Sequence, residues 1–474
     1  MTLQAQIAGL EGRLVDYLTD TGYNDLPASA VEYCKLLVLD SLGVALAGHN
    51  APGCAAVAAL VGSWGTVSGG STVLLHGFKT SPPLAALANS TLMHALDFDD
   101  TLDSSALHTF VSVLPAALAT AEAEGAVDGK KFIAALVLGT DIIGRISFAI
   151  QRPLSWIRSS TCGSFGAATA AAKILGLDRD GIANSLGIVY SQTSGNAQGL
   201  VEGKLVKRMQ PGFASRAGVT AAFLARAGIT GSREFLTGKY GYYNLYEAGE
   251  YEAEPVTAGL GTHQTIMDLS IKPYPSCRMT HASIDAALQL RAKISGHTDD
   301  IEVVQVMASK MVTEMVGKPF VLGSDPQVDA QFSIPYSVSA ALLRGDVFLP
   351  DFTTAAITEK QVMRLAGRVQ VTEEPRMPAK DLMYSHMRIV MKDGRTHEVT
   401  VKVPLGNPAN PISAERCRGK FLKCVAASGV EFGECALREL LDMIAHLEDV
   451  KDVSRLVTLM CADQPAKARS QAAE

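Results

Sequence analysis

Residues 162–178 read CGSFGAATAAAKILGLD, a run of small side chains that carries almost no bulk of its own. Gly176 sits where a helix C-cap glycine belongs, and Asp178 can cap a following helix over Arg179 to Val189. A helix made of Gly, Ala, Ser and Thr gains little by covering a core alone. It fits where neighbouring helices approach closely, so the segment predicts a compact bundle with several buried helices. The flanking sequence agrees. Ala28 to Ala47 is apolar at helical spacing, with Gly48 as its expected stop. Ser81 to Asp97, with prolines 82 and 83 in its first turn, then Val113 to Glu124 and Lys130 to Ala149, continue the pattern. Pro211 to Ala227 is a second small-residue helix.

The character changes after about residue 268. Ile301 to Ala308 (IEVVQVMA) and Arg368 to Thr372 alternate like strands of a half-buried sheet. Met387 to Met391, a turn over Lys392-Asp393-Gly394-Arg395, and Thr396 to Val403 form a hairpin signal, because Asp-Gly between alternating apolar residues favours the tight turn. Helices are expected at His281 to Ser295 and Ser333 to Leu343. From Ala414 the chain reads helical again, through Cys435 to Leu447 and Val453 to Met460. The predicted fold is mainly α: a large helical domain formed by both chain ends (1–268 and 404–474) with an inserted α+β lid domain (269–403). A cleft between two such domains is the expected place for a ligand. The polar, Ala-rich stretch Gln464 to Glu474 reads as disordered.

The chain has 474 residues and 47% hydrophobic residues, enough for a large buried core. Its net charge of −6 provides no basic field for nucleic acid. An anionic substrate must therefore be drawn by local lysines and arginines. The eight cysteines are scattered without CxxC pairs or zinc spacing, as reduced, mostly buried thiols would be. No signal-peptide pattern and no uncharged run of about 20 apolar residues occurs, so a cytoplasmic protein off the membrane is expected. There is no GxGxxG after a strand, no Walker loop and no GxSxG elbow.

Three segments carry chemistry. His94-Ala-Leu-Asp97-Phe-Asp99-Asp100-Thr101 ends an apolar helix, with His108 close behind. Acidic clusters are commonly solvated loop faces, but Asp97 at helical spacing from His94 and next to Leu96 is placed near buried surface, where a carboxylate needs a partner. Carboxylates and His converging on a metal are the less favoured reading, and no metal is expected. Lys204, Lys207 and Arg208 precede Gln210 and the expected helix start at Pro211, where backbone N–H groups attract anions. Lys272-Pro-Tyr-Pro-Ser-Cys277-Arg278-Met-Thr-His281 puts two prolines, two cations, a thiol and a His just before a helix. Cys277 beside Arg278 could be a reactive thiolate, though a lone Cys is more often core, and His281 could simply cap or pack.

Taken together these segments resemble the MmgE/PrpD family. The matching pieces are HALDFDDT (94–101) with HxxxxxLP (108–115), GSFGAATAAAKILGL (163–177), KRMQPGFASRAGVTAAFLARAGITG (207–231), KPYPSCRMTH (272–281) and QFSIPYSVSAALLRGD (331–346). They occur in the family's order and span nearly the whole chain. The resemblance implies a homodimer, no metal, no iron–sulfur cluster and no organic cofactor. Carried over residue by residue, the family's active site falls on Asp97, Thr101, His108, Lys207 and Lys272. With the neighbouring residues added, catalytic roles are expected of Asp97, His108, Lys207 and Lys272, and substrate-binding roles of Thr101, Gln210, Cys277, Arg278 and His281. Gln210 and Cys277 stand where relatives often have His. The stretch Ser155-Trp-Ile-Arg-Ser-Ser-Thr161 lacks the His-Pro-x-Ser found in relatives that handle citrate-like acids.

The resulting expectation is a cofactor-independent lyase of dehydratase type, acting on a small polycarboxylic acid by proton abstraction beside a carboxylate. Isomerisation, epimerisation or decarboxylation of a related acid are the alternatives, followed by a catalytically silent ligand-binding relative. In that scheme Lys207 and Lys272, with Arg278, hold carboxylates and steady the enolate-like charge. His108 is the acid–base group because its ordinary pKa of about 6.5 lies near working pH, and Asp97 orients it or supplies the partner acid.

Overall fold

The small-residue run forms the buried core of the helix Arg158–Ile174, in a computed structural model that describes residues 9–323 and 325–461. The absent side chains explain its neighbours. A Cβ on Gly163 would lie 2.6 Å from Ser112 Oγ in the helix Phe110–Glu124. One on Gly166 would lie 2.5 Å from the carbonyl oxygen of Gly139 in the helix Gly129–Phe148. From the fourth helix, Val206–Arg226, Gly218 approaches Ala167 so closely that an added Cβ would sit 2.5 Å from it. Four helices thus meet at contact distances that larger side chains would forbid. Gly176 ends the central helix at φ +65°, and Leu177 N–H reaches back to Ala172 O at 3.1 Å, a Schellman closure. Asp178 then caps Arg179–Tyr190 through Gly181 N–H at 2.9 Å.

By contact clustering the chain forms two units. One holds the described residues up to Ala95, Asp99–Leu269 and the segment from Ala414 onward; the other holds Leu96–Phe98 and Ser270–Ser413. In the first, the helix Ala414–Ser428 lies on Ala28–Gly48, with Phe421 against Gly43. A buried ion pair joins them, Lys420 Nζ to Asp40 Oδ1 at 2.6 Å. Burial pushes the Asp40 carboxyl up to about 6 while Lys420 pulls it back. The second unit contains a four-stranded sheet in the order Val369–Glu373, Ile301–Ala308, Ser385–Met391, Thr396–Val401. Its first pair is parallel and the other two are antiparallel. Met387, Ile389 and Met391 alternate inward, and the helices His281–Lys293 and Ile334–Arg344 belong to the same unit. The tight turn carries Gly394 at φ +85°.

The first long helix ends at Gly48, where the sequence places its stop, and a Cβ there would fall 2.1 Å from Leu92 O. Two local expectations need correction. The fourth helix begins at Val206 and not at Pro211. Pro211, the sixth residue, has no N–H to give to the Lys207 carbonyl, yet the helix runs through it, so Lys207, Arg208 and Gln210 lie on helical turns instead of in a loop. The helix Pro82–His94 ends at His94, and Asp97 adopts φ +53°. Asp97 therefore has no helical relation to His94. The tail Gln464 to Glu474 lies outside the described residues. Among the described residues no helix is long and apolar enough to cross a membrane.

Candidate active site

His94 closes its helix with 2% exposure, and the chain returns past it as Asp99 and Asp100, both fully buried. A small loop follows, closed by Leu102 N–H to Leu107 O at 2.8 Å and turned by Ala106 at φ +51°. It delivers His108 to the start of the helix Phe110–Glu124. Asp100 fixes that start: its carboxylate accepts from Thr109 N–H at 2.9 Å, Thr109 Oγ1 at 2.8 Å and Phe110 N–H at 3.2 Å. Burial raises the Asp100 carboxyl, and the Asp99 charge adds to the rise. The His108 N–H donates to Ser159 Oγ at 2.9 Å, which ties His108 to the small-residue helix.

Asp99 Oδ2 lies 2.8 Å from His94 Nδ1 and 2.9 Å from His108 Nδ1. The two rings stand edge to face, 4.8 Å apart. His108 Nδ1 is also 2.6 Å from the carbonyl oxygen of Asp100. A carbonyl only accepts, so this nitrogen carries the proton, and in the neutral ring Nε2 holds the lone pair. Burial alone would raise the Asp99 carboxyl; the two histidines outweigh it and hold Asp99 well below the usual carboxylate range. Its Oδ1 has no hydrogen-bond partner among the described residues. His94 is pushed down to about 4, by burial first and by the Lys207 charge second, against the pull of Asp99. His94 is thus a neutral Nδ1–H donor near neutrality. His94, Asp99 and His108 are close enough for a shared metal ion.

The other expected residues of this unit are engaged as follows. Lys207 lies in the first turn of Val206–Arg226 and acts on His94 electrostatically. Thr101 Oγ1 donates to Asp103 Oδ1 at 2.8 Å. Gln210 spans the backbone of Asn196, accepting from its N–H at 2.7 Å and donating to its C=O at 3.0 Å.

Asp97 and Lys272 belong to the second unit. Lys272 is 0% exposed, and its Nζ donates to Asp97 O at 2.9 Å and Asp97 Oδ1 at 3.1 Å. A buried ammonium needs such partners. Arg278 donates to Leu405 O at 3.0 Å and Ser270 Oγ at 3.2 Å. Its Nη1 also faces His281 Nδ1 at 3.2 Å, while His281 Nε2 faces Ser276 O at 3.3 Å. These contacts brace the loop that carries Lys272. Cys277, partly exposed, gives its N–H to Gln331 O at 2.9 Å.

Sequence reasoning paired His108 with Asp97. The structure gives His108 to Asp99 and to the Asp100 carbonyl, and gives Asp97 to Lys272. The expected catalytic and binding residues include neither Asp99 nor His94, for which the two histidines flanking Asp97-Phe-Asp99-Asp100 are the available signal.

Residues 12–254 match the MmgE/PrpD N-terminal domain and residues 274–442 the MmgE/PrpD C-terminal domain. The chain is 27% identical to a cis-aconitate decarboxylase of Aspergillus terreus, over 96% of each chain. It is 26% identical to the cis-aconitate decarboxylase of Homo sapiens, over 97% of this chain and 95% of that one. A 2-methylcitrate dehydratase of Salmonella typhi is 22% identical over 83% of this chain and 85% of its own. With both domains matched in order over most of its length, the chain belongs to the MmgE/PrpD family.

Proposed function

We propose that this protein is a lyase that moves a proton at the carbon beside a carboxylate of a small polycarboxylic acid, with His108 as the acid–base group. One observation carries the reading: the Asp100 carbonyl and the Asp99 carboxylate hold the Nδ1 proton of His108, so Nε2 is the atom left to exchange a proton. Asp97, Lys207 and Lys272 complete the catalytic set, with Lys207 and Lys272 as counter-charges for substrate carboxylates and for the enolate-like charge of the transition state. Thr101, Gln210, Cys277, Arg278 and His281 form the proposed substrate-binding set.

The same set serves two chemistries. In dehydration Nε2 takes the proton from carbon as hydroxide leaves the neighbouring carbon. In decarboxylation the C–C electron pair stays on carbon as CO₂ departs, and a proton on Nε2 is delivered to that carbon. The relatives with decarboxylase names are 26% and 27% identical to this chain, and those with dehydratase names 21% and 22%. Cis-aconitate is therefore the first substrate to test, and 2-methylcitrate the second. Purified protein should release CO₂ from the former or form an alkene acid from the latter. A binding acid held at about 100 times its Kd should also raise stability by about 2.7 kcal/mol. No turnover and no stabilisation across a panel of di- and tricarboxylates would overturn the proposal. Light scattering of the same preparation checks the homodimer that the family resemblance implies.

A further inference from the structure

Gln331 ends the short helix Pro326–Gln331 and is 1% exposed. Its amide nitrogen donates to Leu96 O at 2.7 Å and to Pro275 O at 3.0 Å. An amide NH₂ has two hydrogens, so both are committed. Its own backbone carbonyl accepts the Cys277 N–H at 2.9 Å. One residue therefore joins the turn before Asp97 to the loop that follows Lys272.

The turn needs such a hold. Asp97 sits at φ +53°, a conformation that a non-glycine residue keeps only when its surroundings impose it. Lys272 grips the Asp97 carbonyl and carboxylate, and Gln331 grips the preceding carbonyl at Leu96. With both carbonyls fixed, the peptide plane between Leu96 and Asp97 has little freedom, and the Asp97 side chain is aimed by the backbone rather than by its own rotamer alone.

We propose that Gln331 is a positioning residue: its amide bridge between Leu96 and Pro275 sets the geometry of the Asp97–Lys272 pair. The kinetic part of this inference rests on the function proposed above, and the structural part stands without it. Methionine matches the length of glutamine but has no donors. Asparagine keeps the donors on a chain one methylene shorter, so it reaches one carbonyl at a time.

Two measurements test it on the full-length protein. Amide hydrogen exchange across residues 96–99 should rise about tenfold or more in Gln331→Met and by an intermediate amount in Gln331→Asn. With cis-aconitate as substrate, Gln331→Met should lower kcat by about 10- to 100-fold with KM little changed, a loss of the size that misplacing a reacting group produces. That loss should disappear when the substitution is made in an Asp97→Asn background, because a residue acting through Asp97 has nothing left to position. Unchanged exchange at 96–99, or kinetic losses that multiply in the double variant, would overturn the inference. If Gln331→Met does not fold, Gln331→Asn decides by the same two criteria. The exchange result needs no substrate: should Asp97→Asn alone keep full turnover, the assigned reaction falls while exchange still decides the role of Gln331.

Discussion

His108 gives its Nδ1 proton to the carbonyl oxygen of Asp100 at 2.6 Å, with the Asp99 carboxylate 2.9 Å from the same nitrogen. A backbone carbonyl cannot swap roles with its donor, so the tautomer of the ring is set by the chain itself. The carboxylate adds what the carbonyl lacks, a full negative charge that steadies the ring when Nε2 binds a proton.

Asp99→Asn keeps the size of the side chain and removes that charge. Its amide can also turn an N–H toward His94 or His108, where both partners are donors. Turnover should drop by about 10²–10⁴-fold, the usual worth of acid–base assistance, with KM and thermal stability changed far less. Steady-state kinetics beside a melting curve checks this; a variant within twofold of wild type would remove Asp99 from the mechanism.

The buried His94 makes stability depend on pH. Its pKa is pushed down to about 4 in the fold, against about 6.5 in an unfolded chain. Between those values the unfolded state binds a proton that the folded state does not. Stability should therefore fall as pH drops from about 6.5 toward about 4, by about 1.4 kcal/mol per pH unit at most. Urea unfolding at pH 7, 6 and 5 should show this slope, and His94→Gln should flatten it. An equal slope in the variant would assign the effect elsewhere.

Lys272→Met should both inactivate and destabilise. Removing one partner of a buried pair typically costs about 3–5 kcal/mol. Adding Asp97→Asn should restore much of that stability, since the orphaned carboxylate is gone, while activity stays lost. Chemical denaturation of the single and double variants tests the coupling; equal stabilities for the two would contradict it.

Gly166→Ala probes the helical core. Its new Cβ would meet the Gly139 carbonyl at 2.5 Å, a backbone atom that can yield only if a whole helix shifts. A loss of about 1–3 kcal/mol is expected, as for overpacked cores. An unchanged melting temperature would mean that the helices are not held as closely as described.

Much of this was legible in the sequence. The small-residue run gave the central helix, because only side chains of that size permit the contacts at Gly163, Gly166 and Gly218. The Asp393-Gly394 pair gave the hairpin by local turn chemistry. Less legible was anything that depends on distant partners. Gly48 ends its helix as expected, but its close approach to Leu92 has no local signal. Pro211 looks like a helix start, yet the helix runs back to Val206. Asp97 has a helical interval from His94 on paper, but Lys272, remote in sequence, grips it in a left-handed conformation.

The central claim is that His108 Nε2 transfers the proton. The most direct measurement is proton NMR of cis-aconitate or 2-methylcitrate turned over in D₂O by wild type and by His108→Gln. The wild-type reaction should place deuterium on, or wash hydrogen from, the carbon beside a carboxylate. His108→Gln should lose that exchange by about 10²-fold or more while still being stabilised by the same acid. Exchange at the wild-type rate in His108→Gln would contradict the account.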